Sequence, residues 1–393
     1  MGQVLSEPIT DKHTSSGADK RLTYGASAMQ GWRINMEDAH TTLLELPGDS
    51  QAAFFAVYDG HGGANVARYA GQVVHNKVTS APEYQQGNFQ GALETGFLQT
   101  DEDMMKDANM RYDTSGCTAV AVLIKDNTVY CGNAGDSRAL LSKNGVAQPL
   151  SYDHKPNNPE EFQRIKAAGG FVEFGRVNGN LALSRAIGDF LFKTNARIGP
   201  KEQAVTSFPD VISMEITPEV EFVVLACDGI WDVMNNQAVT DFVRQRIATQ
   251  TPLGEICEQL MENCLARDAR GGVGCDNMTV LIIGILNGGT YAELAERCSK
   301  PRDPVPVEPA DASRPGGAPG AGAFQAPDFG NGANATGMGQ FGAFLSQLMQ
   351  QAVDDGSQDE DSNESDDAAD SISEVSDDKE DASDDADAAT EEK

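Results

Sequence analysis

The chain is poor in positive charge: 29 Lys and Arg face 60 Asp and Glu, for a net charge of −31 over 393 residues. It has no Lys/Arg block, which argues against nucleic acid as a substrate. No run approaches about 18 uninterrupted apolar residues, so no membrane-spanning helix is expected. The N-terminus lacks an apolar secretory core. No pair of the seven cysteines has CxxC spacing. Without that spacing or an HExxH motif there is no zinc signature, and scattered thiols in apolar runs suit small buried hydrophobes in a reducing compartment.

The charge that is present is unevenly placed. Residues 351–393 hold 19 Asp and Glu against two Lys, a net of −17 that leaves about −14 for everything before them. That segment cannot bury a core, and 353–393 reads as an acidic disordered tail. Residues 298–340 are rich in Pro, Gly and Ala and read as a linker. Between them, Phe341, Phe344, Leu345, Leu348 and Met349 fall on one face of a short amphipathic stretch over 341–352, a candidate docking helix. Residues 1–20 are polar and read as a flexible N-terminus. Met1-Gly2-Gln3-Val4-Leu5-Ser6 fits the pattern for myristoylation at Gly2, and a single acyl chain gives only weak, reversible membrane contact. The globular pattern fills 21–297.

Within 21–297, apolar and β-branched runs at 54–58, 221–227 and 278–286 read as buried strands. Short strand-like pieces at 118–124, 128–132 and 137–141, separated by polar turns, predict antiparallel sheet. Helical spacing follows residue 63 and recurs at 87–109, 159–168, 237–249 and 253–267. Residues 171–200 are glycine-rich and irregular, and read as a mobile loop beside a site.

Three of the buried strands border an aspartate: Asp59 in Phe54–Gly63, Asp228 after the second run, and Asp276 just before the third. Glu37 and Asp38 follow another strand. An Asp-Gly pair alone also suits a tight turn, but several strand-end acids in one domain suggest convergence at one sheet edge. Crowded carboxylates need protonation or a counter-charge. An oxygen-only donor set favours Mg²⁺ or Mn²⁺, and this many acids could hold two ions about 3.5–4 Å apart, suited to hydrolysis of a phosphoryl group. Arg33 could clamp phosphate oxygens, and His61 is placed to protonate a leaving alkoxide.

The segments GWRINMEDAH (31–40), FFAVYDGHGG (54–63), GNAGDSRA (132–139), DHKPNNPEEFQRIKAAGGFV (153–172), NLALSRAIGDF (180–190), VLACDGIWDV (224–233) and GCDNMTV (274–280) together resemble the metal-dependent type 2C serine/threonine protein phosphatases, fungal ones included. The resemblance implies an α+β fold, a sandwich of two antiparallel β-sheets flanked by α-helices on both outer faces. It implies that Asp59 bridges two ions, that the Gly60 carbonyl, Asp228 and Asp276 are ligands, and that Glu37 ligates directly or through water. It makes Arg33 the phosphate binder and His61 the general acid. Asp136 would help hold a third, weaker ion, with Asp228 beside it. Asp38 completes the candidate metal set. Residues 171–200 overlap the family's flap. Cys117, often serine in the family, is expected in a sheet away from the ligands. Phosphoprotein substrates follow, with protein kinases of stress-activated cascades as the family-level expectation, in a monomer of cytoplasm or nucleus.

Three other readings are open to test. Cys264 and Arg270 have the CxxxxxR spacing of cysteine phosphatases, but Cys264 lies on an apolar helical face. A binding-only pseudophosphatase is disfavoured by the complete candidate set. A scaffold role through the acidic tail could coexist with catalysis.

Overall fold

The computed structural model describes residues 4–302; Gly2, most of the linker, the 341–352 stretch and the acidic tail lie outside them. Two sheets form the frame, and every strand pairing in both is antiparallel. The first runs, in spatial order, Val4–Ala18, Leu22–Arg33, Met278–Ile285, Val220–Ala226, Arg138–Lys143 and Val146–Pro149. The second runs Asp210–Glu215, Thr128–Ala134, Ala119–Lys125, Ala53–Tyr58 and Ala39–Leu43.

The continuous apolar runs have a direct cause: the central strands are covered on both faces. From Ala53–Tyr58, Phe55 and Val57 point between the sheets, where they meet Val120, Val122, Val223, Leu225, Leu281 and Ile283. Phe54, Ala56 and Tyr58 point outward onto helices Asn65–Ser80 and Phe89–Lys106, through Val66, Ala70, Val74, Leu93 and Phe97. The other sheet does the same, with Phe222, Val224, Val280 and Ile282 against Val239, Val243, Ile256 and Leu260 of helices Asn236–Ala248 and Leu253–Cys264. A period-2 side-chain pattern buried on both faces leaves no polar alternation to read. The expected sandwich with helices on both outer faces is the architecture observed.

Two expectations are corrected. Val4–Ala18 is a 15-residue edge strand, not a loose segment. It escapes detection because most of its side chains are exposed, so it carries no apolar pattern; its backbone is fixed by pairing with Leu22–Arg33. Pro8 falls where the register shifts, between Val4 and Ile9, the place an edge strand tolerates a missing N–H. Residues 171–200 are irregular but packed. The hairpin Val172–Glu173 with Arg176–Val177, helix Pro159–Ala167 and their connections share a small core of Ile165, Val177, Leu183, Ala186, Ala204 and Val205. A further helix, Tyr291–Ser299, has a Thr290/Glu293 capping box and buries Leu294, Ala295 and Cys298.

Candidate active site

The strands of both sheets end at one edge, and that is what gathers the site. Asp59 follows Ala53–Tyr58, Asp228 follows Val220–Ala226 by one residue, Asp276 precedes Met278–Ile285, and Asp136 follows Thr128–Ala134. They line a cleft of about 740 Å³ together with Arg33, Glu37, Gly60 and His61. Asp38 lies beneath, and one of its oxygens sits within 4.8 Å of an Asp59 oxygen and of Cys227 Sγ. Every residue singled out above within 4–302 as a ligand, phosphate binder or acid is thus brought to this edge.

The segment bearing Arg33, Glu37 and Asp38 is held by a residue the sequence did not single out. Asn277 donates from Nδ2 to the carbonyls of Gln30 and Asn35, at 2.8 and 2.9 Å, and its Oδ1 accepts from Glu37 N at 2.9 Å. Asn277 is 6% exposed, so these bonds form away from competing water. Gly31 makes the bend possible: it has a φ of 65°, and a Cβ there would lie 2.5 Å from Asp276 O. Arg33 Nη2 then donates to Asp276 Oδ2 at 2.5 Å, which takes one of the guanidinium's five N–H groups.

The acids are short of positive charge. Burial first, then the charges of Asp228, Asp38, Asp136 and Asp276, push Asp59 well above the usual carboxylate range. Burial and the neighbouring Asp136, Asp276 and Asp232 do the same to Asp228, with Lys155 opposing. Burial lifts Asp38 to about 7, although a hydrogen bond from Thr279 resists. That bond, 2.7 Å long, goes to Asp38 Oδ2. Oδ1 is buried with no partner of ordinary hydrogen-bond geometry among the described residues. An orphaned carboxylate oxygen beside acids that cannot comfortably ionise together fits a divalent cation of the hard, oxygen-seeking kind. Cys227 does not alter that donor chemistry. Its thiol is held protonated by burial and by Asp38, Asp59 and Asp228, and its sulfur accepts from Thr279 N at 3.2 Å.

His61 is aimed by Asp189, which sequence reasoning missed: His61 Nε2 and Asp189 Oδ2 are 2.6 Å apart. Burial alone would lower the His61 pKa, but the Asp189 charge and hydrogen bond reverse this and raise it. The pair needs Gly116, where a Cβ would lie 2.2 Å from Asp189 Oδ2 and 2.7 Å from His61 Nε2. Asp189 has a φ of 53°, a left-handed conformation that Asp tolerates better than most residues. Its position within NLALSRAIGDF was the available signal, but nothing in the spacing tied it to a histidine 128 residues earlier.

Two cysteine readings can now be judged. Cys117 is not remote from the site. It pairs with Gly60 on one side and Ile187 on the other in a small three-stranded sheet, because the chain turns straight from Asp59 into that sheet. Cys264 is core, at 2% exposure, and burial pushes its thiol up to about 12. Arg270 pairs with Asp268 in the open. A thiolate nucleophile needs the opposite environment.

Comparison with known proteins places these features. Residues 22–273 match the family described as Protein phosphatase 2C. A probable protein phosphatase 2C of Caenorhabditis elegans is 56% identical over 302 residues, covering 77% of this chain and 85% of that protein. Protein phosphatase 2C homolog 2 of Schizosaccharomyces pombe is 52% identical over 294 residues, covering 73% and 80%. Among solved structures, a phosphatase from a pathogenic strain of Toxoplasma gondii aligns with a TM-score of 0.60 at 26% identity, over 70% of this chain and 96% of that one.

Proposed function

We propose a division of labour among the site residues of this chain, which belongs to the protein phosphatase 2C family and is a metal-dependent protein serine/threonine phosphatase acting on phosphoproteins. Asp59, Asp228, Asp276 and Glu37, with Asp38 Oδ1 and the Gly60 carbonyl, would hold two divalent cations, Mg²⁺ or Mn²⁺. Asp136 and Asp228 would share a third, weaker one. Bound there, the ions would supply the missing positive charge and a water acidic enough to attack phosphorus.

The chain's own groups do the rest. Arg33, braced on Asp276, presents N–H groups to the phosphate oxygens at the cleft mouth. Asp189 holds His61 in its protonated form with the ring fixed, and His61 gives that proton to the serine or threonine oxygen as its bond to phosphorus breaks. Asn277 keeps Arg33 and Glu37 in register across the cleft.

One observation carries this reading: carboxylates from separate strands meet under an arginine and a histidine paired with Asp189, with too little positive charge to ionise together. The test is hydrolysis of p-nitrophenyl phosphate and of a phosphothreonine peptide by the full chain, in EDTA, Mg²⁺ or Mn²⁺, with Asp59→Ala as control. Activity that needs both the metal and Asp59 is expected. Folded protein without metal-dependent turnover would leave only a phosphoprotein-binding role.

The proposal extends to the cell. The phosphatase works as a monomer in cytoplasm and nucleus and reverses kinase signalling, with protein kinases among its substrates. An acyl group on Gly2 gives it weak membrane contact, for which the Met1–Ser6 motif is the support. Intact mass of the native protein would show a bare Gly2 if that part is wrong. No helix among the described residues is long and apolar enough to cross a membrane.

A further inference from the structure

We propose that Lys155 is a built-in cation at the third-ion position, displaced when that ion binds and so setting its affinity; this rests on the metal-site reading above. The Lys155 ammonium pairs with Asp136, whose side chain is only 7% exposed.

The chain is fastened so that this contact forms. Arg138 donates from Nε and Nη2 to the two oxygens of Asp153, at 2.5 and 2.9 Å. His154 N donates to Gly135 O at 3.0 Å, and Gly135 N donates back to His154 Nδ1 at 3.2 Å. Asn158 Nδ2 donates to Asp153 O at 2.7 Å. Residues 153 and 154 are thereby tied to the turn that carries Asp136, and Lys155 is delivered to its carboxylate.

An ammonium is a compact charge with three donors and no coordination place to offer a water. It neutralises one carboxylate, but it cannot share that carboxylate with a divalent ion without like-charge repulsion. The core ions meet less competition, because Lys155 is hydrogen-bonded to Asp136 and acts on Asp228 only through its charge, while Arg33, not Lys155, bonds to Asp276. The lysine side chain is 42% exposed, so it can leave for water on its flexible stem. The third position would then fill only when the metal concentration is high enough to evict Lys155.

Calorimetric titration of the metal-free full chain with Mn²⁺ tests this. Lys155→Met is expected to tighten the weak class of Mn²⁺ binding about tenfold, within the usual range for coupled sites, and to change the tight class much less. Lys155→Arg keeps the charge and should resemble the wild type. Asp136→Asn should remove the weak class in either background. Circular dichroism checks folding, and Lys155→Gln serves if the methionine variant fails. A weak class that is unchanged or weaker in Lys155→Met, with the tight class intact, overturns the inference alone. Absence of tight Mn²⁺ binding in the wild type overturns the metal-site reading, and this inference with it.

Discussion

Two clusters of withdrawn carboxylates lie in the same domain, and they are held in opposite ways. At the sheet edge, Asp38, Asp59 and Asp228 are pushed up by burial and by one another, and the nearest cations, Arg33 and Lys155, reach only the margins at Asp276 and Asp136. Beneath the 171–200 segment, Glu161 is at least as buried. It accepts from Arg185 at 3.0 and 2.8 Å and from Ser184 Oγ at 2.6 Å, and Arg164 lies 2.7 Å away. Arg185 also reaches Asp210 Oδ1 at 2.8 Å. Burial pushes Glu161 up as well, but the arginines more than reverse it and bring it to about 2. Desolvation is common to both clusters, and the supply of counter-charge is what separates them. The paired cluster is structural, joining helix Pro159–Ala167 to the strand Asp210–Glu215. The unpaired one is strained until something positive arrives, and that strain marks it as the functional site.

Removing charge should therefore act differently in the two places. The largest effect is expected in the paired cluster: Arg185→Met leaves Glu161 to Arg164 and Asp210 to His154 and should cost about 3 kcal/mol of stability in urea unfolding, the low end for breaking a buried pair. Activity should persist below the unfolding transition. Next, Asp59→Asn should lower phosphopeptide hydrolysis in saturating Mn²⁺ by more than the ~100-fold that contacts around a metal are worth. Asp189→Asn comes third. It leaves His61 without its charged partner and should cost about 100-fold in kcat, the low end of the range for proton transfer. The basic limb of the pH–rate profile should move to lower pH, because His61 would release its proton sooner; an unmoved limb would remove His61 as the acid.

The acids that read out in the sequence did so for a physical reason. Strands buried on both faces produce apolar runs with sharp ends, so Asp59, Asp228 and Asp276 stood out as polar groups where burial stops. Asp189 and Asn277 did not. Their work is done through a contact to a distant histidine and through bonds to backbone carbonyls, neither of which leaves a periodic trace. The Val4–Ala18 strand was hidden because an edge strand is specified by its neighbour's backbone more than by its own side chains. Helix Tyr291–Ser299 did carry a signal, the Thr290 and Glu293 of its capping box, placed where the chain already looked terminal.

A smaller effect separates the clusters by pH. In EDTA, Asp38, Asp59 and Asp228 have folded pKa values raised above their unfolded ones. The folded state therefore binds more protons, and stability falls as pH rises from about 4 through 7. Glu161 has the opposite sign, but its window lies between its unfolded value and about 2, below the range of interest. The metal-free midpoint temperature should thus fall between about pH 5.5 and 7.5, and Mg²⁺ at the higher pH should restore it. A flat or rising profile would contradict this. The smallest effect is Cys264→Ser, which should cost about 1 kcal/mol of stability and leave metal-dependent activity unchanged; loss of activity in folded protein would reopen the cysteine mechanism.

The most direct measurement is urea unfolding of the wild type and Asp59→Asn at pH 7.5, first in EDTA and then in Mg²⁺. If the sheet-edge cluster is strained by uncompensated charge, the variant is the more stable protein without metal and gains less than the wild type when metal is added. A variant that is equal or weaker in EDTA, or that gains as much from Mg²⁺, would contradict the account.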